Sequence, residues 1–219
     1  MKGIILAGGK GSRLFPNTTV VNKQLLPVHD KPMIYYALTT LLAASINDIC
    51  IICNPEDIQG YKDLLGLGEQ FGAKITYVAQ ENPDGIPQAF TLASKFIGSD
   101  PVALLLGDNI FIDNGEIRHA VKNFRTGAHI FGLRVQNPSQ YGIVLLDDAQ
   151  QPIGLVEKPT RPQSNYAVPG FYIFDSSCVF FSQTLQKSNR GELEIIDLLN
   201  KYLKNKKLDL TLLSRGTGW

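Results

Sequence analysis

The sequence predicts an α/β protein: a mixed, mostly parallel sheet covered by helices in three layers. Three observations carry this. Short runs rich in apolar and β-branched residues at Ile4–Ala7, Ile49–Cys53, Ile75–Ala79 and Val102–Leu106 lack the polar alternation of a half-wet strand, so they read as strands buried on both faces. Helical patterns separate them, as crossovers between parallel strands require. The first strand then runs into a glycine-dense segment, Lys2 to Leu14 (K-G-I-I-L-A-G-G-K-G-S-R-L), at the sheet edge where such folds bind ligands.

Taken in order, the first helix is expected to start near Pro32, a good first-turn residue, and to present Ile34, Leu38, Leu41 and Leu42 on one face. The second covers Glu56–Leu65 and the third Pro87–Phe96. After about residue 110 the texture changes. Strands are expected at His129–Val135, Gly142–Leu146, Ile153–Glu157 and Ala167–Phe174. Helices follow at Ser176–Leu185 and Glu192–Lys204, and a last strand at Leu208–Leu213. With no repeat, low-complexity tract or flexible linker between them, the two halves are expected to share one sheet in a single domain, 1–219.

Bulk properties narrow the function. A chain of 219 residues with 44% hydrophobic content has enough apolar side chain for a sizeable core. The formal charge of +1, from 21 basic and 20 acidic residues without blocks of like charge, disfavours binding to nucleic acid through a basic field. Cys50 and Cys53 form C-I-I-C, but a strand sends residues three apart to opposite faces. They are expected, with Cys178, to be buried, reduced core thiols. No signal peptide is visible, and the stretch Met33–Ile46 is too short to span a bilayer. A soluble, cytoplasmic setting without membrane partners is expected.

The glycine segment is expected to bind a triphosphate. Gly8, Gly9 and Gly11 let backbone N–H groups turn toward an anion without a Cβ in the way. Arg13 stands on the far rim, and Asn22-Lys23-Gln24-Leu25-Leu26-Pro27 adds a second cation. Two familiar phosphate loops are excluded. A Walker A loop needs Ser or Thr where Gly11 follows Lys10, and a dinucleotide fingerprint needs glycine at Leu14.

L-A-G-G-x-G-[ST]-R-L followed by N-K-Q-L-L-P and K-P-M-I-Y-Y resembles the sugar-nucleotide pyrophosphorylases, most closely the glucose-1-phosphate thymidylyltransferases. The resemblance continues in order through P-D-G-I-P-Q-A-F, L-L-L-G-D-N-I-F, Y-G-I-V, V-E-K-P, Y-A-V-P-G-F-Y-I-F-D and R-G-E-L-E-I, and covers essentially the whole chain. It implies a Rossmann-like nucleotidyltransferase fold of the nucleotide-diphospho-sugar transferase type. Residues 1–110 would form the nucleotide-binding half and 111–219 the sugar-phosphate half. The implied reaction joins dTTP and glucose 1-phosphate to give dTDP-glucose and pyrophosphate, with Mg²⁺ as cofactor and a homo-oligomer as an allowed assembly.

By the same resemblance, Gly8, Gly9, Gly11 and Ser12 cradle the nucleotide, Arg13 binds the departing pyrophosphate and Lys23 neutralises the reacting phosphates. Gln24 joins the nucleotide site. Gln80 pairs with the base edge and the Gly85 backbone completes that contact; without the resemblance, Gln80 would be an ordinary polar strand end. Asp108, at the mouth of a buried strand, is placed to hold Mg²⁺, which prefers one or two carboxylates plus phosphate oxygens. On the sugar side, Gly142 lets the backbone approach a hexose, Glu157 binds sugar hydroxyls and Lys158 grips the sugar's phosphate. Val168, Gly170 and Tyr172 alternate on one strand face along that pocket. Arg190 assists phosphate binding or belongs to a helix-start charge cluster. His29, His119 and His129 have no metal-ligand spacing.

In the family, a tryptophan like Trp219 is followed by an aspartate that partners the one at Asp108, and by further helices. The sequence stops at Trp219, so the expectation includes three outcomes: a dTTP-using enzyme, a weak or inactive binder of nucleotide or sugar phosphate, and a relative that uses UTP or CTP.

Overall fold

The computed structural model describes residues 1–9, 11 and 14–217. Four parallel strands make the first half of the sheet: β1 (Lys2–Leu6), β4 (Asp48–Cys53), β5 (Lys74–Ala79) and β6 (Val102–Leu106). They lie in the order β5-β4-β1-β6, with Ile4 opposite both Cys50 and Leu104. Between β1 and β4 come a small hairpin, β2 (Pro27–Val28) with β3 (Lys31–Pro32), and then α1 (Ile34–Ala43). Pro32 therefore closes the hairpin rather than opening the helix. Its fixed φ suits an extended edge as well as a helical first turn, and pairing with Pro27 decides between them.

The second half of the sheet comprises β7 (Ala128–Arg134), β8 (Gly142–Leu146), β9 (Pro152–Glu157), β10 (Tyr166–Ala167), β11 (Phe171–Phe174) and β12 (Leu208–Leu212). β11 runs antiparallel between β6 and β7, β12 runs parallel to β7, and β10, β8 and β9 extend the sheet antiparallel. One ten-stranded sheet thus crosses both halves among the described residues. The stretch expected as one strand, Ala167–Phe174, is two, because Val168-Pro169-Gly170 breaks the ladder: Pro169 has no N–H to give.

The other helices are α2 (Ile58–Leu65), α3 (Gln88–Leu92), α4 (Ser94–Ile97), α5 (Gly115–Asn123), α6 (Ser177–Gln183) and α7 (Ile195–Lys204). α3 and α4 divide the expected third helix, and a 3-10 turn at Pro55–Asp57 replaces the first turn of the second. The expected last helix loses Glu192-Leu193-Glu194, which stay outside it, with Glu194 extended, and line the second cavity described below. Helix α5 was not expected. Its Ile117 and Ala120 are buried in a span otherwise rich in polar residues, too short for the period to stand out.

Neighbouring side chains along β1, β4 and β6 point to opposite layers. Ile4, Cys50, Ile52 and Leu104 pack with Phe90 of α3, Ile97 of α4 and the buried face of α7; Ile5, Ile49, Cys53 and Leu105 pack with Leu38 of α1, Tyr61 of α2 and Ile117 of α5. This makes three layers and separates the two cysteines of C-I-I-C, as a period of two demands. Cys50, Cys53 and Cys178 are free and buried, and burial pushes the Cys50 and Cys53 thiols up to about 12, so they stay protonated and inert. No helix among the described residues is long and apolar enough to cross a membrane.

Candidate active site

Four parallel strands end at one edge of the sheet, and each delivers residues to it: Gly8 and Gly9 after β1, Asn54 after β4, Gln80 after β5 and Asp108 after β6. Gly9 and Gly11 have φ of +103° and +56°, in the region open to glycine. A Cβ on Gly11 would also meet Thr18 Cγ2 at 2.8 Å, so the loop turns tightly over the 14–23 segment. Together with Lys23, Gln24 and Asp108 these glycines wall a cavity of about 250 Å³. Across it, Lys23 Nζ lies 2.8 Å from Asp108 Oδ2. Gln24 is 4% exposed, and its Oε1 is buried with no hydrogen bond, an acceptor left over beside the cavity that the residue lines.

The segment carrying Lys23 is anchored by Asn22. Its Nδ2 donates to Ala7 O at 3.2 Å and to Asp57 Oδ2 at 2.6 Å, and its Oδ1 accepts from Tyr61 Oη at 2.9 Å and from Gln24 N at 3.0 Å. Asn54 completes the net: Nδ2 donates to Asp57 Oδ2 at 2.7 Å, while Oδ1 accepts a longer bond from Gly9 N, 3.4 Å. The glycine loop and the lysine are thus tied to one partly buried amide–carboxylate cluster, and a hydrogen-bond network of this kind rigidifies what it holds.

A second cavity of about 340 Å³ lies on the other side of Asp108, which lines both. Gly142, Glu157, Lys158, Val168, Tyr172 and Arg190 all face it. Arg190 is clamped before any ligand arrives. Its Nε donates to Glu194 Oε1 at 3.0 Å and its Nη2 to Glu194 Oε2 at 2.5 Å and Glu157 Oε1 at 3.1 Å. Lys158 Nζ lies 3.5 Å from the same Glu157 oxygen. Burial pushes the Glu194 carboxyl up, but the Arg190 and Ser188 hydrogen bonds outweigh it and hold it below the ordinary range; the same pairing holds Arg190 up. Burial, with Glu157 and Asp108 adding repulsion, raises the Tyr172 hydroxyl and keeps it a neutral donor. Lys158 has φ of +39°, unusual for a side-chain-bearing residue, with its N–H donating to Tyr141 O at 3.0 Å.

The structure therefore brings Gly8, Gly9, Gly11, Lys23, Gln24 and Asp108 to one cavity and the six residues expected on the sugar side to its neighbour. Ser12 and Arg13 lie outside the described residues. Gln80 and Gly85 line neither cavity. Gln80 is 3% exposed with its Oε1 in the space a Cβ on Gly8 would need, and the next residues, Glu81 and Pro83, wall a third cavity of about 400 Å³ that shares Gly9. Gly85, at φ +107°, packs against the Leu193 backbone in a short parallel bridge, where a Cβ would collide with main-chain atoms. Crowding also accounts for Gly142, whose Cβ would meet Ile196 Cδ1 at 2.8 Å and Glu157 Oε2 at 3.1 Å.

Sequence reasoning passed over Asn22, Asn54, Asp57 and Glu194. Asn54-Pro55 at the carboxyl end of a buried strand is a turn signal that would have pointed to the first cluster. No group of three or more His, Cys, Asp or Glu placed for a metal occurs among the described residues.

A family model described as nucleotidyl transferase matches residues 2–219. The chain belongs to the nucleotidyl transferase family. It is 48% identical over 221 residues to a glucose-1-phosphate thymidylyltransferase of Mycobacterium tuberculosis, covering 100% of this chain and 76% of that protein. A glucose-1-phosphate thymidylyltransferase of Neisseria meningitidis is 47% identical over 222 residues, of which the chain covers 77%. A Bacillus anthracis crystal structure described as that of a glucose-1-phosphate thymidylyltransferase, in complex with sucrose, superposes with a TM-score of 0.92 at 42% identity, over 100% of this chain and 88% of that one. UDP-glucose pyrophosphorylase bound to UDP-glucose shares the fold, with a TM-score of 0.83 at 23% identity over 96% of this chain and 89% of that one. The fold is accordingly the nucleotide-diphospho-sugar transferase type, and the nucleotidyltransferase is an enzyme of the thymidylyltransferase branch.

Proposed function

We propose that this nucleotidyltransferase joins dTTP and glucose 1-phosphate to give dTDP-glucose and pyrophosphate, as a single domain whose 1–110 half takes the nucleotide and whose 111–219 half takes the sugar phosphate. One observation carries the reading: two cavities meet at Asp108, with Lys23 paired to it, so groups held on either side come together beside one ammonium and one carboxylate. A phosphate oxygen of glucose 1-phosphate attacks the α-phosphorus, the α–β P–O bond breaks, and the electron pair leaves with pyrophosphate. Positioning and charge neutralisation carry such a transfer. Lys23 neutralises the reacting phosphates, and Arg13 is assigned to the departing pyrophosphate.

The glycine N–H groups cradle phosphate oxygens, Gln24 lines the nucleotide cavity beside them, and Gln80 with the Gly85 backbone takes the base. Glu157 and the neutral Tyr172 hydroxyl face the sugar; Lys158 and Arg190 face its phosphate. Arg190 needs no ordering on binding, because Glu194 already holds its guanidinium at the cavity.

The Asp108 site suits a hard divalent cation. Its Oδ2 already faces a cation, the Lys23 ammonium, and a single carboxylate with phosphate oxygens fits the preference of Mg²⁺. Asp108 would hold it, and the ion would supply charge neutralisation at the phosphates. The buried, unpaired thiols fit a reducing, cytoplasmic setting. Pyrophosphate release with Mg²⁺, glucose 1-phosphate and each of dTTP, UTP and CTP tests the assignment: turnover is expected with dTTP first. Release with none, alongside measurable dTTP binding, would overturn it in favour of a binding protein.

A further inference from the structure

Which end of the Gln80 amide faces the nucleotide is decided by its neighbour Gln88. Gln80 Nε2 donates to Gln88 Oε1 at 2.7 Å. That same oxygen accepts from the backbone N–H of Asp84 at 3.1 Å. A main-chain N–H can only donate, so it must face an oxygen of Gln88, and Gln80 must answer that oxygen with its NH₂. Gln88 Nε2 is turned toward Asp84 Oδ2, a long contact of 3.5 Å, and Lys187 Nζ holds the other Asp84 oxygen at 2.5 Å. The Gln80 carbonyl is left against Gly8, a residue that lines the glycine cavity.

We propose that Gln88 is a positioning residue for base selection: it locks Gln80 with its carbonyl toward the nucleotide, so the site takes a pyrimidine whose ring N3 carries a proton, thymine or uracil, and rejects cytosine. Cytosine presents a lone pair at N3, which would set two buried acceptors against each other with neither paired. Sites built to bond one polar group reject an analogue lacking it far more strongly than apolar pockets reject a missing methylene. This inference rests on the reading that Gln80 faces the base.

The test is calorimetric binding of dTDP and dCDP, so it does not depend on turnover. Wild type is expected to prefer dTDP. Gln88→Met removes the acceptor that pins Gln80 and is expected to reduce the dTDP-to-dCDP affinity ratio about tenfold or more. Gln88→Lys replaces the acceptor with a donor that also pairs with Asp84, which supports the fold; it should draw the Gln80 carbonyl inward and shift preference toward dCDP. Equal weakening of both ligands in these variants, with the ratio intact, would overturn the positioning role. Gln80→Leu separates the two layers of the inference. A ratio unchanged by Gln80→Leu overturns the base-facing reading itself, whereas a ratio collapsed by Gln80→Leu but untouched at Gln88 overturns only the role of Gln88.

Discussion

The two cavities that meet at Asp108 are built in opposite ways. The cavity we assign to the nucleotide is made of backbone: three glycines, a loop close to them in sequence and one exposed-edge ion pair, Lys23–Asp108. Its rigidity comes from behind, through Asn22, Asn54, Asp57 and Tyr61. The cavity we assign to the sugar is made of side chains from segments far apart in sequence, with Arg190, Glu194, Glu157 and Lys158 already neutralising one another. A backbone cradle binds any phosphate and needs a cation to make it reactive. A pre-paired charge cluster is poised for one geometry and costs little ordering when its ligand arrives. Chemistry should therefore fail most sharply on the first side and binding on the second.

The largest expected effect breaks the nucleotide side. Lys23→Ala should lower kcat/KM by about two orders of magnitude or more, ~2.7 kcal/mol of transition-state stabilisation. Steady-state kinetics with saturating Mg²⁺ would show it, and near-normal turnover would remove Lys23 from the chemistry. Next comes the support behind the loop. Asn22→Ala removes the acceptor of the buried Tyr61 hydroxyl and one of the two amide donors to Asp57 Oδ2, and should cost about 2 kcal/mol of stability. Urea denaturation measures this; an unchanged midpoint would mean the cluster is dispensable.

On the sugar side, Arg190→Ala should raise the KM for glucose 1-phosphate about tenfold, ~1.4 kcal/mol, and leave that for dTTP nearly unchanged. A matching rise for both substrates would erase the contrast between the cavities. The smallest effect is in acid. Burial pushes the Asp175 carboxyl up, but hydrogen bonds from Ser177, the Gly127 N–H, Thr126 and Tyr202 outweigh it and hold it below its ordinary value of 3.8. A depressed folded value means stability fully present above about pH 3.8 and lost as pH falls from there through the folded value. Because Tyr202 lies on α7, the sugar half should loosen first. Thermal melts between pH 5 and pH 3 should drop by roughly a few degrees more in wild type than in Asp175→Asn. Equal drops would assign the acid loss to other carboxylates.

What was legible in the chain follows the range of the forces involved. Strands β1, β4, β5 and β6 were readable because burial on both faces leaves unbroken apolar runs, and their carboxyl ends located Gly8, Gly9 and Asp108. The split of Ala167–Phe174 and the hairpin role of Pro32 were not, since each turns on which strand a local segment pairs with. Helix α5 was missed because two buried residues among polar ones make no period.

The sequence by itself determined the layered α/β plan, the glycine loop at the strand ends and the family, because runs of burial and ordered motifs are properties of neighbours along the chain. Only the tertiary structure decided that Asp108 is common to two cavities, that Glu194 rather than phosphate first holds Arg190, and that Gln88 orients Gln80. Hydrogen bonds and ion pairs act over about 3 Å. Residues such as Arg190 and Glu157, 33 positions apart, come within that reach only when the sheet has folded.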